Sequence, residues 1–123
     1  MNSMPELMKD RTKKLAIRIV KVFRRLPKTE EARIFGKQLL RSGTSVAANY
    51  RAVCRARSKA EFISKIGTVV EEADETVFWL ELLVETGIVS SGQMESLLAE
   101  AKELLSICPA SQRTARASPR SKA

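Results

Sequence analysis

The chain contains no histidine and only two cysteines, which narrows the chemistry available to it. Without histidine there is no Ser-His-Asp triad, no histidine-containing metal site and no Glu-x-x-His pair of the kind that binds di-iron centres in helical bundles. Cys54 and Cys108 lack the spacing of a metal site, so we expect both to be reduced thiols of a cytoplasmic protein. Neither glycine-rich phosphate motif, GxxxxGK[ST] or GxGxxG, occurs. The sequence therefore predicts no catalytic residues, no cofactor and no metal, and we expect the protein not to be an enzyme.

Aromatic residues, glycine and proline are also scarce. Aromatics make up 5% of the chain, with five glycines and four prolines, while 44% of the residues are hydrophobic. This composition favours helices over a β-sandwich. No run of about 18 apolar residues is present, and residues 1–20 are charged throughout, so we expect neither a transmembrane helix nor a secretory signal. A length of 123 residues indicates one domain.

Positive and negative charges are sorted along the chain. Residues 1–59 contain sixteen Lys or Arg and four Asp or Glu, whereas residues 60–110 contain two and ten, respectively. Residues 111–123 add four basic residues, which completes the net charge of +8. The first half therefore builds a basic surface and the second half an acidic one, and these surfaces either face different partners or neutralise each other.

Apolar periodicity predicts four helices. They span residues 5–26, 30–57, 58–87 and 90–107, with Thr29, Ser58 and Ser90 as N-caps and Gly87 just after the third helix. Because the connections are short, we expect an all-α, antiparallel up-down-up-down four-helix bundle over residues 1–109. Pro109 is expected to end the last helix. Residues 110–123 then form a disordered basic tail.

The second helix has small and polar residues on its apolar side. Gly43 costs about 1 kcal/mol in a helix interior, which is tolerable where another helix approaches closely or where the helix bends. Ser42 and Asn49 occupy core-like positions. They form either a buried polar pair that fixes helix register or a contact to a ligand or another subunit.

Basic residues recur with helical period on the first two helices and are the best functional signal. Lys and Arg neutralise phosphates and release counterions, which gives salt-sensitive binding that is mostly independent of sequence. The candidates are Arg11, Lys14, Arg18, Lys21 and Arg25 on the first helix, and Lys37, Arg41, Arg51 and Arg55 on the second. Few aromatics are available for base stacking, so we expect contacts to the RNA or DNA backbone rather than readout of the bases.

The third helix is apolar on more than one side, which is more than one small bundle usually buries. The expected oligomer interface consists of Trp79, Leu82 and Leu83 with Glu72 and Glu75. Glu71, Glu72, Asp74 and Glu75 could together bind a divalent ion. The simpler interpretation is a solvated acidic surface or salt bridges to Arg51 and Arg55, so we expect no metal site.

Four segments resemble a known family. Residues 36–52 read GKQLLRSGTSVAANYRA and residues 55–62 read RARSKAEF, followed by EEADE at 71–75 and WLELL at 79–83. These segments resemble the bacterial 23S ribosomal RNA intervening-sequence proteins over about residues 10–108. The resemblance implies a four-helix bundle that assembles as a ring-like homopentamer. It also implies kinship with the accessory protein of diversity-generating retroelements, which binds nucleic acid and a reverse transcriptase.

Three functions remain open from the sequence. The first is a homo-oligomeric bundle, expected to be a pentamer, that binds RNA or DNA through phosphate contacts. The second is a scaffold or adaptor whose charges serve assembly and a protein partner. The third is peripheral membrane binding through the first helix, which requires its apolar residues to be exposed.

Overall fold

The computed structural model describes residues 3–117, and every regular element in that part of the chain is an α-helix. The helices are α1 (Met4–Arg25), α2 (Glu30–Val53), α3 (Lys59–Glu85) and α4 (Ser91–Ala117). The predicted all-α class and the number of helices are therefore confirmed for these residues.

Every helix begins beside a hydroxyl side chain that accepts a backbone N–H, as N-capping requires. The hydroxyl of Ser3 accepts from the N–H of Glu6, that of Thr29 from Ala32, that of Ser58 from Glu61 and that of Ser90 from Gln93. At the other end of α3, Gly87 has a φ of 77°, a left-handed conformation that glycine adopts without a Cβ clash. Local sequence thus sets most of the helix boundaries.

Two predicted helix ends are wrong. The second helix ends at Val53 instead of Arg57, and the following residues form the connection to α3. The fourth helix does not stop at Pro109 but continues to Ala117, so residues 110–117 are helical instead of a disordered tail. Although Pro109 removes one backbone donor, tertiary contact holds the extension, because Gln112 Nε2 donates to the Ile63 carbonyl of α3 at 3.1 Å. Residues 118–123 of the predicted tail lie outside the described residues.

Several contacts between neighbouring helices pair residues near the start of one helix with residues near the end of the other. Consecutive helices pack together, and α1 also touches α4. Between α1 and α2, Ile19 meets Gly43 and Leu26 meets Gly36. Between α2 and α3, Arg41 meets Glu75 and Phe35 meets Trp79. Between α3 and α4, Ile63 meets Gln112 and Glu81 meets Lys102.

All four helices contribute to one hydrophobic core. Its fully buried members include Ile19 of α1, Leu39 of α2, Leu80 of α3 and Leu104 of α4. Cys108 extends the buried side of α4 by one further turn. The core thus runs along the bundle rather than occupying one end.

One hydrogen bond links α2 and α3 inside this core. Thr76 Oγ1 donates to Ser42 Oγ at 3.2 Å, and Ser42 Oγ donates to the Leu39 carbonyl at 3.3 Å. Both hydroxyl groups are fully buried, and each needs such a partner there. Asn49 is not the partner of Ser42, because its side-chain amide donates to the Ser45 carbonyl of its own helix. The buried polar pair therefore exists, with Thr76 in the place predicted for Asn49.

Gly43 lies where α1 approaches α2 most tightly. A Cβ at this position would overlap Cδ1 of Ile19 and would lie 3.1 Å from its Cγ2. Ile19 is fully buried and cannot swing into solvent. Of the two explanations that the sequence left open for this glycine, the structure shows the close approach of another helix.

We predict that Gly43→Ala destabilises the protein by about 1–2 kcal/mol, because overpacking outweighs the gain of about 1 kcal/mol in helix propensity. Thermal and urea unfolding followed by circular dichroism measure the effect. Gly92→Ala is the control, since nothing lies within 4 Å of its added Cβ, and it should leave Tm unchanged or slightly raised. Ile19→Val in the Gly43→Ala background removes the overlapping methyl and should restore part of the loss. Equal Tm values for Gly43→Ala and Gly92→Ala would contradict this interpretation.

Candidate nucleic-acid interface

The nine predicted basic residues do not form one continuous surface. Within residues 3–117, three of them are held in ion pairs, namely Arg11, Lys14 and Arg41. The other six have no carboxylate partner in that part of the chain, and they are Arg18, Lys21, Arg25, Lys37, Arg51 and Arg55. A charge that is already neutralised is a poorer ligand for phosphate, so the three paired residues are weaker candidates than the other six.

Arg11 joins α1 to α4. Its guanidinium donates two hydrogen bonds to the Glu100 carboxylate, at 2.7 and 3.1 Å, and its Nη2 lies 3.2 Å from Glu103. These hydrogen bonds, together with the negative charges, raise the pKa of Arg11 further above its ordinary value. Such a bidentate pair has defined geometry and fixes the two helices relative to each other. Arg11 therefore has a structural role in the bundle.

Arg41 joins α2 to α3 in a similar way. Its guanidinium contacts Glu72 at 3.3 Å and Glu75 at 2.5 Å. Both glutamates were predicted at an oligomer interface, but here they are bound by an arginine of the same chain. The salt bridges expected between the acidic cluster and Arg51 or Arg55 are therefore made by Arg41 instead.

The first group of unpaired cations lies at the C-terminal end of α1. Arg18, Lys21 and Arg25 line one side of a groove whose opposite side comes from the connection between α3 and α4 and from Gln93. We call these three residues the α1-end patch. Arg18 is partly engaged, because its Nη2 donates to Ser96 Oγ at 3.0 Å. Lys21 and Arg25 are exposed.

The second group lies where α2 ends and α3 begins. Arg51, Arg55, Arg57 and Lys65 line a concavity together with Ala48, Ala52 and Glu61. We call the four basic residues the corner patch, and all four are exposed. The sequence did not point to Arg57, which was placed inside the second helix, or to Lys65, which stands in the acidic half of the chain.

The two patches are far apart. The α1-end patch adjoins the end of the bundle at which α2 begins, and the corner patch adjoins the end at which α2 terminates. The 24 residues of α2 correspond to about 36 Å of helix at 1.5 Å per residue. Lys37 is exposed on α2 and belongs to neither patch.

The predicted oligomer-interface residues also separate. Leu83 has 0% exposure and belongs to the core, so it is not available to another copy. Trp79 and Leu82 are half-buried. The Trp79 ring packs against Phe35, with centroids 5.9 Å apart, and edge-to-face against Phe78 at 4.9 Å. The buried Trp79 Nε1 has no hydrogen-bond partner among residues 3–117.

An apolar surface that the sequence did not reveal lies beside this tryptophan. Phe78, whose ring contacts Trp79, is 52% exposed. We call Phe78 and Trp79 the aromatic patch. Periodicity missed it because it ranked the sides of α3 by their apolar content, and only the packed structure shows which side remains uncovered.

The remaining reactive groups are dispersed or shielded. Burial raises the pKa of the Cys108 thiol to about 11 and that of Tyr50 to about 12, so both are neutral at physiological pH. Cys54 is exposed, and its Sγ lies 3.9 Å from the Pro5 carbonyl oxygen. No group of three potential metal ligands occurs among the residues that the structure describes. In the same part of the chain, no helix has the length and hydropathy needed to cross a membrane.

Comparison with known proteins places this arrangement in context. Residues 7–109 match the family model described as 23S rRNA-intervening sequence protein. The fold is similar to the crystal structure of a protein of unknown function from the S23 ribosomal protein family of Bacteroides thetaiotaomicron. The two chains share 35% identity and a TM-score of 0.81, over 89% of this chain and 97% of the other. No curated protein matches.

We predict that Arg11→Gln lowers the free energy of unfolding by roughly 0.5–1 kcal/mol, because the pair with Glu100 is partly exposed to solvent and therefore screened. Urea unfolding at two salt concentrations measures this loss, which should shrink at high salt. Lys14→Gln is the control, since its pair with Asp10 is exposed and lies within one helix, and its effect should stay within about 0.5 kcal/mol. A larger loss for Lys14→Gln than for Arg11→Gln would contradict the structural role of Arg11.

Proposed function

We propose that this chain, which belongs to the family of 23S rRNA-intervening sequence proteins, is a non-enzymatic helical bundle that binds nucleic acid through phosphate contacts. The family match over residues 7–109 confirms the resemblance found in residues 36–62. The family description itself states no activity, and the similar solved protein is of unknown function. The proposal therefore rests on the surface of this chain.

One observation supports it above all. Six of the nine basic residues predicted to bind phosphate have no carboxylate partner within residues 3–117, although ten acidic residues lie in the second half of the chain. Folding brings the two halves together, yet it neutralises only part of the positive surface. A net charge of +8 attracts polyanions, and exposed lysines and arginines are the groups that displace their counterions.

The side chains favour contact with the backbone of the nucleic acid over readout of its bases. Tyr50 is buried, and Trp79 packs against two phenylalanines, so neither presents a free ring for stacking. The exposed ring of Phe78 lines neither of the two basic concavities. Arginine and lysine bind phosphate oxygens without regard to sequence. We therefore expect weak discrimination between sequences and a steep dependence on salt.

We further propose an up-down-up-down bundle that assembles into a ring-like homopentamer. The opposed order of contacts between neighbouring helices supports this topology. The aromatic patch supports assembly, because an exposed phenylalanine beside a half-buried tryptophan is typical of a protein interface. The number five comes from the resemblance to the family.

Fluorescence anisotropy with labelled 20-nucleotide RNA, single-stranded DNA and duplex DNA tests the binding. We expect saturable binding at low salt, with log K falling linearly against log salt by about 0.9 per phosphate engaged on a duplex. Replacing Lys21, Arg25, Arg51 and Arg55 by glutamine should reduce affinity at least tenfold. Arg11→Gln is the matched control, because this arginine is already paired, and it should bind like the natural protein.

The outcome separates this function from the scaffold hypothesis. Flat titrations with all three nucleic acids at low salt would refute phosphate binding and favour a protein partner. Equal affinity of the fourfold variant and the natural protein would show that the unpaired cations are not the contact residues.

We predict that Phe78→Gln weakens assembly, because it removes the most exposed ring of the aromatic patch. Size-exclusion chromatography with light scattering should give about five times 13.7 kDa for the natural protein and a smaller mass for the variant. Ile17→Gln is the control, since Ile17 is 46% exposed on α1 and lies outside the patch. A natural protein of one-chain mass, or an unchanged mass of Phe78→Gln, would contradict the proposed interface.

A further inference from the structure

We propose that the corner patch is the primary phosphate-binding site of this protein and that its ligand is the phosphodiester backbone of a nucleic acid. The inference rests on the proposed function and assigns it to Arg51, Arg55, Arg57 and Lys65. The site combines the last turn of α2, the connection and the second turn of α3. It therefore exists only in the folded chain.

The charge balance of the concavity is the first argument. Four cations and a single carboxylate, that of Glu61, line it. None of the four cations has an ion-pair partner in residues 3–117, in contrast to Arg11 and Arg41. Like charges held close together repel each other, and a bound polyanion removes that repulsion.

The second argument is the way the concavity is shaped. Ala48 and Ala52 also line the concavity, and their small side chains offer little steric hindrance to a phosphate group. Arg51 lies in the last turn of α2, and Arg55 lies in the turn that directly follows this helix, where its N–H donates to the Ala52 carbonyl at 3.1 Å. Both side chains line the concavity. Three of the four cations are arginines, whose planar guanidinium matches the geometry of phosphate oxygens.

The third argument is that the helix dipoles do not outweigh the charge of the side chains. The C-terminus of α2 carries partial negative charge, and the N-terminus of α3 carries partial positive charge. Both ends adjoin the concavity, so their effects oppose each other there. The side chains therefore set the sign of the local potential. The dipole accounts for a cation such as Arg51 in the last turn of α2, but it disfavours Lys65 near the start of α3.

The C-terminal extension strengthens the positive potential at the same end of the bundle. Gln112 binds the carbonyl of Ile63, two residues from both Glu61 and Lys65, which fixes the extension beside the first turns of α3. Arg113 and Arg116 are exposed on it. The α1-end patch has no comparable reinforcement, and its Arg18 is already engaged with Ser96.

The test compares variants that lose equal charge. The corner variant carries Arg51→Gln, Arg55→Gln and Lys65→Gln, and the scattered control carries Lys13→Gln, Arg24→Gln and Arg33→Gln at exposed positions outside the patch. Anisotropy with the same 20-mers, measured across a range of salt concentrations, gives affinity and salt slope. We expect the corner variant to lose at least tenfold in affinity and about 2 in the slope, and the control to lose less than about threefold.

Further measurements make each outcome decisive. Because all substituted residues are exposed, circular dichroism melting should show both variants folded. If the natural protein binds no oligonucleotide, the proposed function and this assignment fail together. If it binds and the two variants weaken equally, or if Lys21→Gln with Arg25→Gln weakens binding more, only the assignment fails. If the corner variant keeps its affinity but changes mass in light scattering, the patch binds another copy of the chain and the assignment is overturned.

Discussion

The burial of one apolar side of each helix in a common core is the constraint on which the remaining surface depends, because it decides which charged residues meet across helices. The core holds α1 against α2 at Gly36 and Gly43, where side chains larger than hydrogen do not fit without movement. With the helices placed in this way, Arg11 meets α4 and Arg41 meets α3. The cations that face away from these contacts are left for other partners.

The surface along α2 and α3 is divided by this pairing into regions of different chemistry. The aromatic patch lies near the start of α2, the corner patch lies at its end, and Arg41 with Glu72 and Glu75 lies between them. In the proposed ring, the corner patch would repeat once per subunit, and linked sites of this kind bind one polyanion more tightly than a single site does.

The acidic part of the chain has a structural role in this picture. The carboxylates of Glu72, Glu75 and Glu100 neutralise arginines of the first half of the same chain. The opposite signs of the two halves thus serve folding at these positions. The net charge of a segment is nevertheless a poor guide to its surface, since Lys65 of the acidic half lines the corner concavity.

Local sequence was sufficient to predict the number of helices and where each of the last three begins. Three predicted caps, Thr29, Ser58 and Ser90, make their expected bonds, and Gly87 has the positive φ that its position required. These signals act within a few residues, which is why they can be read from the chain. The end predicted at Pro109 was wrong because the helix beyond it is held by a hydrogen bond from Gln112 to the carbonyl of Ile63, which is distant in the sequence.

The candidate site was only partly predictable, for the same physical reason. Periodicity predicted Arg51 and Arg55 on one side of a helix. Both line the corner concavity, although Arg55 lies in the connection after α2. It could not show that Arg11 and Arg41 are neutralised, that Leu83 has no exposed surface, or that Arg57 and Lys65 join the corner patch. The sequence by itself determined the four helices, the sorted charge and the family. Tertiary structure alone decided which charges remain unpaired, because ion pairing and burial depend on neighbours that are distant in the chain.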